Sequence, residues 1–499
     1  MKHQDLLRLT HIALIFTLFF SGLTAHTASA RTSEPTYDLG YRNFGSSIPN
    51  FAPQTDPFVP TTFNDGFSEG CSDTVCTLRD AIMAANQDSD ANTINLLAGI
   101  YTLSSGGPGE DDSFDGDLDV TAPLTITGVS SATTIIDANS IDRVFDIFPA
   151  ASSVTFENLT IRGGSVADFG AGIYNRGVTL TLNNVKIEDN VSTTKGAGIY
   201  IATGLTHLTS SQIFSNTASG NGGGAYLASG TLKIEGGKVY DNSAGNGAGI
   251  YNTGELLILS GAMIANNSAT EAGGGVTNGL NGVMTLTDSL VTQNTSVLNG
   301  GGIQAIGPSS VMTITNGIIT RNEANGTFNS GAGIANGGTA FITGTVISTN
   351  TNIAVVTSKS GGGIANDGTL TLVNSELYSN TSNYSGGGIS SSGAGSVLVI
   401  ENTAVTRNES QGVNQSGWGI LVSVSGVATI TNSTVSENIS EGNGGGLGAT
   451  STAMITIEDT TINSNEAGAN GGGLYGGIGT NFWLDTVTID GNIATFKGG

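Results

Sequence analysis

The sequence predicts an all-β solenoid. It reads as a parallel β-helix with about three short strands in each ~27-residue coil and a short N-terminal capping helix. Three observations predict it. A small-Gly-aliphatic element recurs at intervals of 25 to 31 residues. A second element, aliphatic-x-x-Asn, recurs in step with the first. Between the two lie short runs in which apolar and polar residues alternate.

The first element is Ala171-Gly172-Ile173, Ala197-Gly198-Ile199, Gly223-Gly224-Ala225 and Ala248-Gly249-Ile250, and it continues to Gly473-Leu474. The second places Asn at 190, 216, 242, 267, 294, 322, 350, 380, 408, 438, 465 and 492. Two marks in register over this length define a repeat. Runs such as Val178-Thr-Leu-Thr-Leu182 and Ala428-Thr-Ile430 alternate with period two, the pattern of a strand with one buried face. No coil has room for a helix of ten residues. A propeller blade needs about 40–50 residues, which the period excludes. Stacked coils lie ~4.8 Å apart, so like residues form columns. Asn190, Asn216, Asn242, Asn267, Asn294, Asn322, Asn350, Asn380, Asn408, Asn438, Asn465 and Asn492 are thus expected to form a bonded ladder. The ladder Asn is also expected to take the left-handed turn conformation that Asn tolerates.

Composition agrees. The 499 residues include 75 Gly, only 11 % are charged, and 38 % are hydrophobic. That leaves enough apolar surface for a core, unlike a disordered chain. The net charge of −24 excludes nucleic acid as a partner, because phosphates demand Lys and Arg.

Domain boundaries follow from composition. Lys2 and Arg8, the apolar run Ile12 to Leu23 and Ala28-Ser29-Ala30 read as a signal peptide over 1–30. The apolar run is too short to span a membrane, so no transmembrane helix is expected in the mature chain. Residues 31–70 hold five of the nine prolines and read as an arm or linker. Within 71–90, Leu78, Ala81, Ile82 and Ala85 have helical spacing, and Thr77 with Asp80 resembles a capping box. This segment is read as a lid on the first coil, with Cys71 and Cys76 able to close a disulfide after export. Residues 91–171 form irregular first coils and 172–499 the regular repeats, which stop where the next element is due. A chain truncated at its C-terminus is the expectation.

Cys76-Thr77-Leu78-Arg79-Asp80-Ala81-Ile82, with Ala85-Asn86, resembles the signature of the bacterial CSLREA domain. The paired repeat elements are similar to those of polymorphic outer-membrane proteins, with Ile, Val or Leu in place of Phe. The resemblance implies an exported, right-handed, pectin-lyase-like β-helix at the bacterial outer membrane or cell surface, without a defined activity.

The chemistry is sparse. His207 is the only histidine after residue 30, which excludes a multi-His centre within one chain. Asp189, Asp241, Glu437 and Asp490 are scattered near the Asn turns, and Arg321 and Arg407 share a register three coils apart. No catalytic constellation results, so a non-catalytic adhesin or scaffold is expected. A polysaccharide lyase or hydrolase of the same fold is the rival, and a purely structural envelope protein is the third reading. No cofactor is expected. Asp115, Asp117 and Asp119, in the dense acidic segment from Glu110, are a weak calcium candidate beside the plainer reading of a solvated loop. Tyr174, Tyr200, Tyr226 and Tyr251 occupy one register in four successive coils. Such rings stack to stabilise a sheet or offer a strip for carbohydrate. The expected partner is an extracellular or surface ligand, carbohydrate or a neighbouring cell among them.

Overall fold

The computed structural model describes residues 56–66, 71, 75–87, 89–107, 113–326, 331–353, 360–412 and 418–499. The signal-peptide segment 1–30, residues 31–55 and 67–70 of the arm, and Glu110, Asp111 and Asp112 lie outside the described residues.

The chain winds as an all-β parallel solenoid of about 13 turns with a helix, α1, near its N-terminus. One coil shows the plan. Ile173–Asn175, Thr179–Asn183, Lys186–Glu188 and Val191–Ser192 are four strands in chain order. Stacked on their equivalents, they build a first sheet of 14 strands, a second and a third of 15, and a fourth of 13. Every pairing is parallel and in register, as in Ile173 with Ile199, Leu182 with Leu208 and Ile187 with Ile213. The coil therefore holds four strands, where the sequence suggested three. The fourth is two residues long and directly follows the ladder Asn, too short to show alternation. At ~4.8 Å per strand, the second sheet runs roughly 67 Å.

Inward columns of aliphatic residues fill the coil. Ile187, Ile213, Val239, Ile264 and Val291 follow one another on the third sheet, each at most 1 % exposed. Each such side chain contributes about 1.5–3 kcal/mol through burial. One coil alone could not bury them, so stacking and core formation are the same event.

The two repeat elements are in step because they touch. Asn190 Nδ2 donates to Asn216 Oδ1 at 2.9 Å, and the link repeats through all twelve residues to Asn492. Asn216 also donates to the Ile187 carbonyl of the preceding coil, and its Oδ1 accepts from the Asn190 N–H. The Gly column packs against this ladder. A Cβ on Gly198 would run into the Gly224 carbonyl and the Asn216 amide. Any side chain there would push the ladder out.

The left-handed residue of this turn is not the ladder Asn but the one before it. Asp189, Ser215, Asp241, Asn266, Gln293, Arg321, Thr349, Ser379, Arg407, Glu437, Ser464 and Gly491 all have positive φ. The ladder Asn is held at its place by its side-chain bonds rather than by tolerance of strain. Its predecessor is free to be almost any polar residue.

At the N-terminal end, Leu78–Asn86 forms α1 with Thr77 as N-cap and a complete capping box with Asp80. Leu78, Ala81, Ile82 and Ala85 join the solenoid core, and Cys71 is bonded to Cys76. Part of the Pro-rich stretch belongs to this cap. Phe58 pairs with Ile94 of strand Asn92–Asn95, and the Thr61 N–H donates to the Cys76 carbonyl.

Arg79 is fully buried and ties the cap together. Its guanidinium bonds Asp65 through both carboxylate oxygens, and the carbonyls of Ser113, Asp115, Gly116 and Asp117. Burial works against a charged Asp65, but Arg79 and the N–H groups of Ser104 and Ser105 outweigh it and hold the carboxyl below its usual range. Much of the acidic segment's role is thus to wrap its backbone around a cation.

Candidate functional site: the tyrosine face

In the first sheet the middle residue of each three-residue strand points away from the core, since its two neighbours point in. This outer column runs Asp119, Asp146, Tyr174, Tyr200, Tyr226, Tyr251, Thr277, Gln304, Ala335, Ala365, Ser390, Leu421, Gly448, Tyr475. It passes from acid to aromatic to mostly small residues, and ends on Tyr475.

The connections single out the same face. From Ile173 onward, links from the second to the third sheet and from the third to the fourth are two residues long, with one exception at 260–262. Links into the first sheet are mostly six residues, as at 193–198, but span 325–333, 353–363 and 411–419 in three coils. Links out of it range from 253–254 to 306–310 and 392–396. The number of residues between strands therefore varies most on entering and leaving the first sheet.

At its acidic end, the carboxylates of Asp117, Asp119 and Asp146 lie within 4.8 Å of one another. Asp146 replaces Asp115 in this group. Asp115 is exposed, and its carbonyl accepts from Arg79. Asp146 lies 27 residues beyond Asp119, and only coil stacking brings the two together. Arg143 Nη1 bonds both Asp117 (2.6 Å) and Asp146 (2.8 Å), and Arg176 bonds Asp146 through two nitrogens at 2.7 Å. Arg143 therefore sits between the carboxylates that a cation would share. Burial raises the Asp117 carboxyl to about 7, helped by Asp142 and Asp146 and opposed by Arg143.

Next come the rings. Tyr200 and Tyr226 stack at 5.2 Å and 1°, Tyr226 and Tyr251 at 5.1 Å and 5°. Tyr174 meets Tyr200 edge-on, and Phe169 stacks on Tyr200 at 4.5 Å. Arg176 lies 4.8 Å from the Tyr174 ring and Lys195 4.9 Å from the Tyr226 ring. The inner rings thus spend their faces on one another and on cations. Tyr226 is buried, and the stack leaves little ring face for a ligand.

Beyond Tyr251 the column shrinks, and the face sinks. A cavity of 170 Å³ opens over Gln304, Ala335 and Ala365. Further on, Trp418 stands at a position occupied by Gly or Ala in most other coils. A Cβ on Gly444 or Gly448 would strike its ring, so the 1 %-exposed indole closes the trough.

The other sequence candidates remain apart. Asp189 and Asp241 are exposed turn residues, Asp490 is an exposed strand residue, and Arg407 pairs with Glu437 at 2.8 Å on the surface. No helix among the described residues is long and apolar enough to cross a membrane.

No family model and no curated protein matches the chain. Among solved structures, the A-module of the mannuronan C-5 epimerase AlgE6 of Azotobacter vinelandii aligns at 12 % identity and a TM-score of 0.28. The alignment covers 83 % of this chain and 96 % of that one. PfbA, a surface adhesin of Streptococcus pneumoniae, aligns at 11 % identity and a TM-score of 0.25, covering 84 % and 88 %. At these values neither carries a function over to this chain.

Proposed function

We propose that this chain is an exported, non-catalytic adhesin or interaction scaffold that meets its ligand on the tyrosine face. The observation that carries the reading is the placement of variable-length links. In a repeat protein, insertions collected on one face of a rigid stack mark the side under selection for contact. The signal-like N-terminus and the Cys71–Cys76 bond support an oxidising compartment outside the cytoplasm. The CSLREA-like motif and the outer-membrane-type repeats support bacterial surface display. The test is attachment of cells carrying the wild-type chain against cells whose segments 325–333, 353–363 and 411–419 are each replaced by the six residues 193–198. Loss of attachment with an unchanged melting curve supports the reading. Undiminished attachment overturns it.

One observation favours a second reading, a polysaccharide-active enzyme. Asp117, at about 7, is suited to carry a proton near neutral pH beside Arg143 and Asp146. Release of unsaturated uronide or reducing ends from acidic polysaccharides, abolished in Asp117→Asn, would establish that reading over the first.

A further inference from the structure

The cavity on the tyrosine face lies two coils beyond Tyr251. Its floor is the methyl groups of Ala335 and Ala365, with Gln304 at one end. Asn299 reaches it from the link entering the first sheet, and Ile306 and Asp367 from turns leaving it. Gln304 Oε1 is buried and accepts no hydrogen bond among the described residues. A buried acceptor without a donor is a cost that folding alone does not explain. The neighbouring residues in the column do not supply the donor: Ala335 has none, and the Thr277 hydroxyl donates to the Ala272 carbonyl.

We propose that this cavity is a subsite for one neutral sugar residue of a glycan laid along the tyrosine face. A ligand hydroxyl donates to Gln304 Oε1, and an apolar C–H face rests on the two alanine methyls. The volume of 170 Å³ is below the roughly 300–1,000 Å³ of drug-sized sites and suits a single ring. Charge selects against uronate and sulfated sugars. Asp367 is the one charged residue of the lining among the described residues, and the whole chain carries −24. This inference rests on the reading of the tyrosine face as the contact surface.

The test is calorimetric titration of the whole purified chain with soluble manno-, galacto-, gluco- and xylo-oligosaccharides, with oligogalacturonate and a lysine-rich peptide as comparators. At least one neutral series is expected to bind. Gln304→Leu is expected to weaken it tenfold or more, and Ala365→Phe, which fills the cavity, to abolish it, both without loss of thermal stability. Binding of oligogalacturonate or the peptide in preference to every neutral series overturns the proposal. So does the absence of neutral binding, or neutral binding that survives both substitutions. If loop replacement abolishes cell attachment while no neutral sugar binds, the subsite falls and the contact face stands. If attachment survives loop replacement, the face reading falls first.

Discussion

Arg79 shows how much one side chain can organise. It is fully buried and makes six hydrogen bonds, two of them to a carboxylate. Arg79→Leu would strand Asp65 and four carbonyls, and removing one partner of a buried pair costs about 3–5 kcal/mol. Urea unfolding is expected to show a loss of that size, against about 1 kcal/mol for the capping residue in Thr77→Ala. Asp117 gives a test by pH. Its folded value of about 7 lies above the ordinary 3.8, so the folded chain binds this proton more tightly than the unfolded one. Its contribution to stability is full below about pH 4 and is lost as pH rises through 7. Asp117→Asn, which can still accept from Arg143, is expected to flatten the stability profile between pH 4 and 7 and to be more stable than wild type at pH 8. An unchanged slope in urea midpoints across that range would refute the assignment.

The ladder is the element on which the coils depend. Asn322 uses both amide hydrogens, on Asn350 and the Val291 carbonyl, and its oxygen accepts twice from Asn294. Asn322→Ala would leave several of these buried groups unmet, at about 1–3 kcal/mol each. A loss of about 3 kcal/mol or more is expected. Asn492 has a bonded neighbour on one side only among the described residues, and Asn492→Ala is expected to cost less than half as much. Equal losses in the two variants would mean that the ladder is not cooperative. Both ladder and Gly column were legible in the sequence as spacings. Their contact was not, because it joins residues of different coils, such as Gly198 and Asn216 with Gly224. A second ladder went unseen for the same reason. Asn252 bonds Asn278 at 2.7 Å and Asn336 bonds Asn366 at 2.8 Å where strands leave the first sheet, and the links of uneven length that follow blur its period.

Across the whole molecule, stability is a sum over coils and their interfaces. Deleting residues 276–302 removes one coil and joins Gly275 to Ile303, whose equivalents already pair as Val276 with Ile303. The shortened chain is expected to fold and to lose about 4.8 Å of length by X-ray scattering. Deleting half as many residues would set inward columns against outward ones and is expected to abolish folding. An unfolded single-coil deletion would show that the coils are not interchangeable units.

By itself the sequence determined the solenoid, its period, the cap helix with its capping box and the identity of both marks. Each of these is either local or repeated, so spacing along the chain reports it directly. The tertiary structure alone decided what the outer face presents. Asp146 joins Asp117 and Asp119, Phe169 covers Tyr200, and Gln304 borders a hollow over Ala335 and Ala365, because coils about 27 residues apart stack at bonding distance. Repetition dictates which residues are neighbours between coils. Whether those neighbours form an ion network, a stack of rings or a cavity depends on side-chain size and charge at the few positions where the repeat departs from itself.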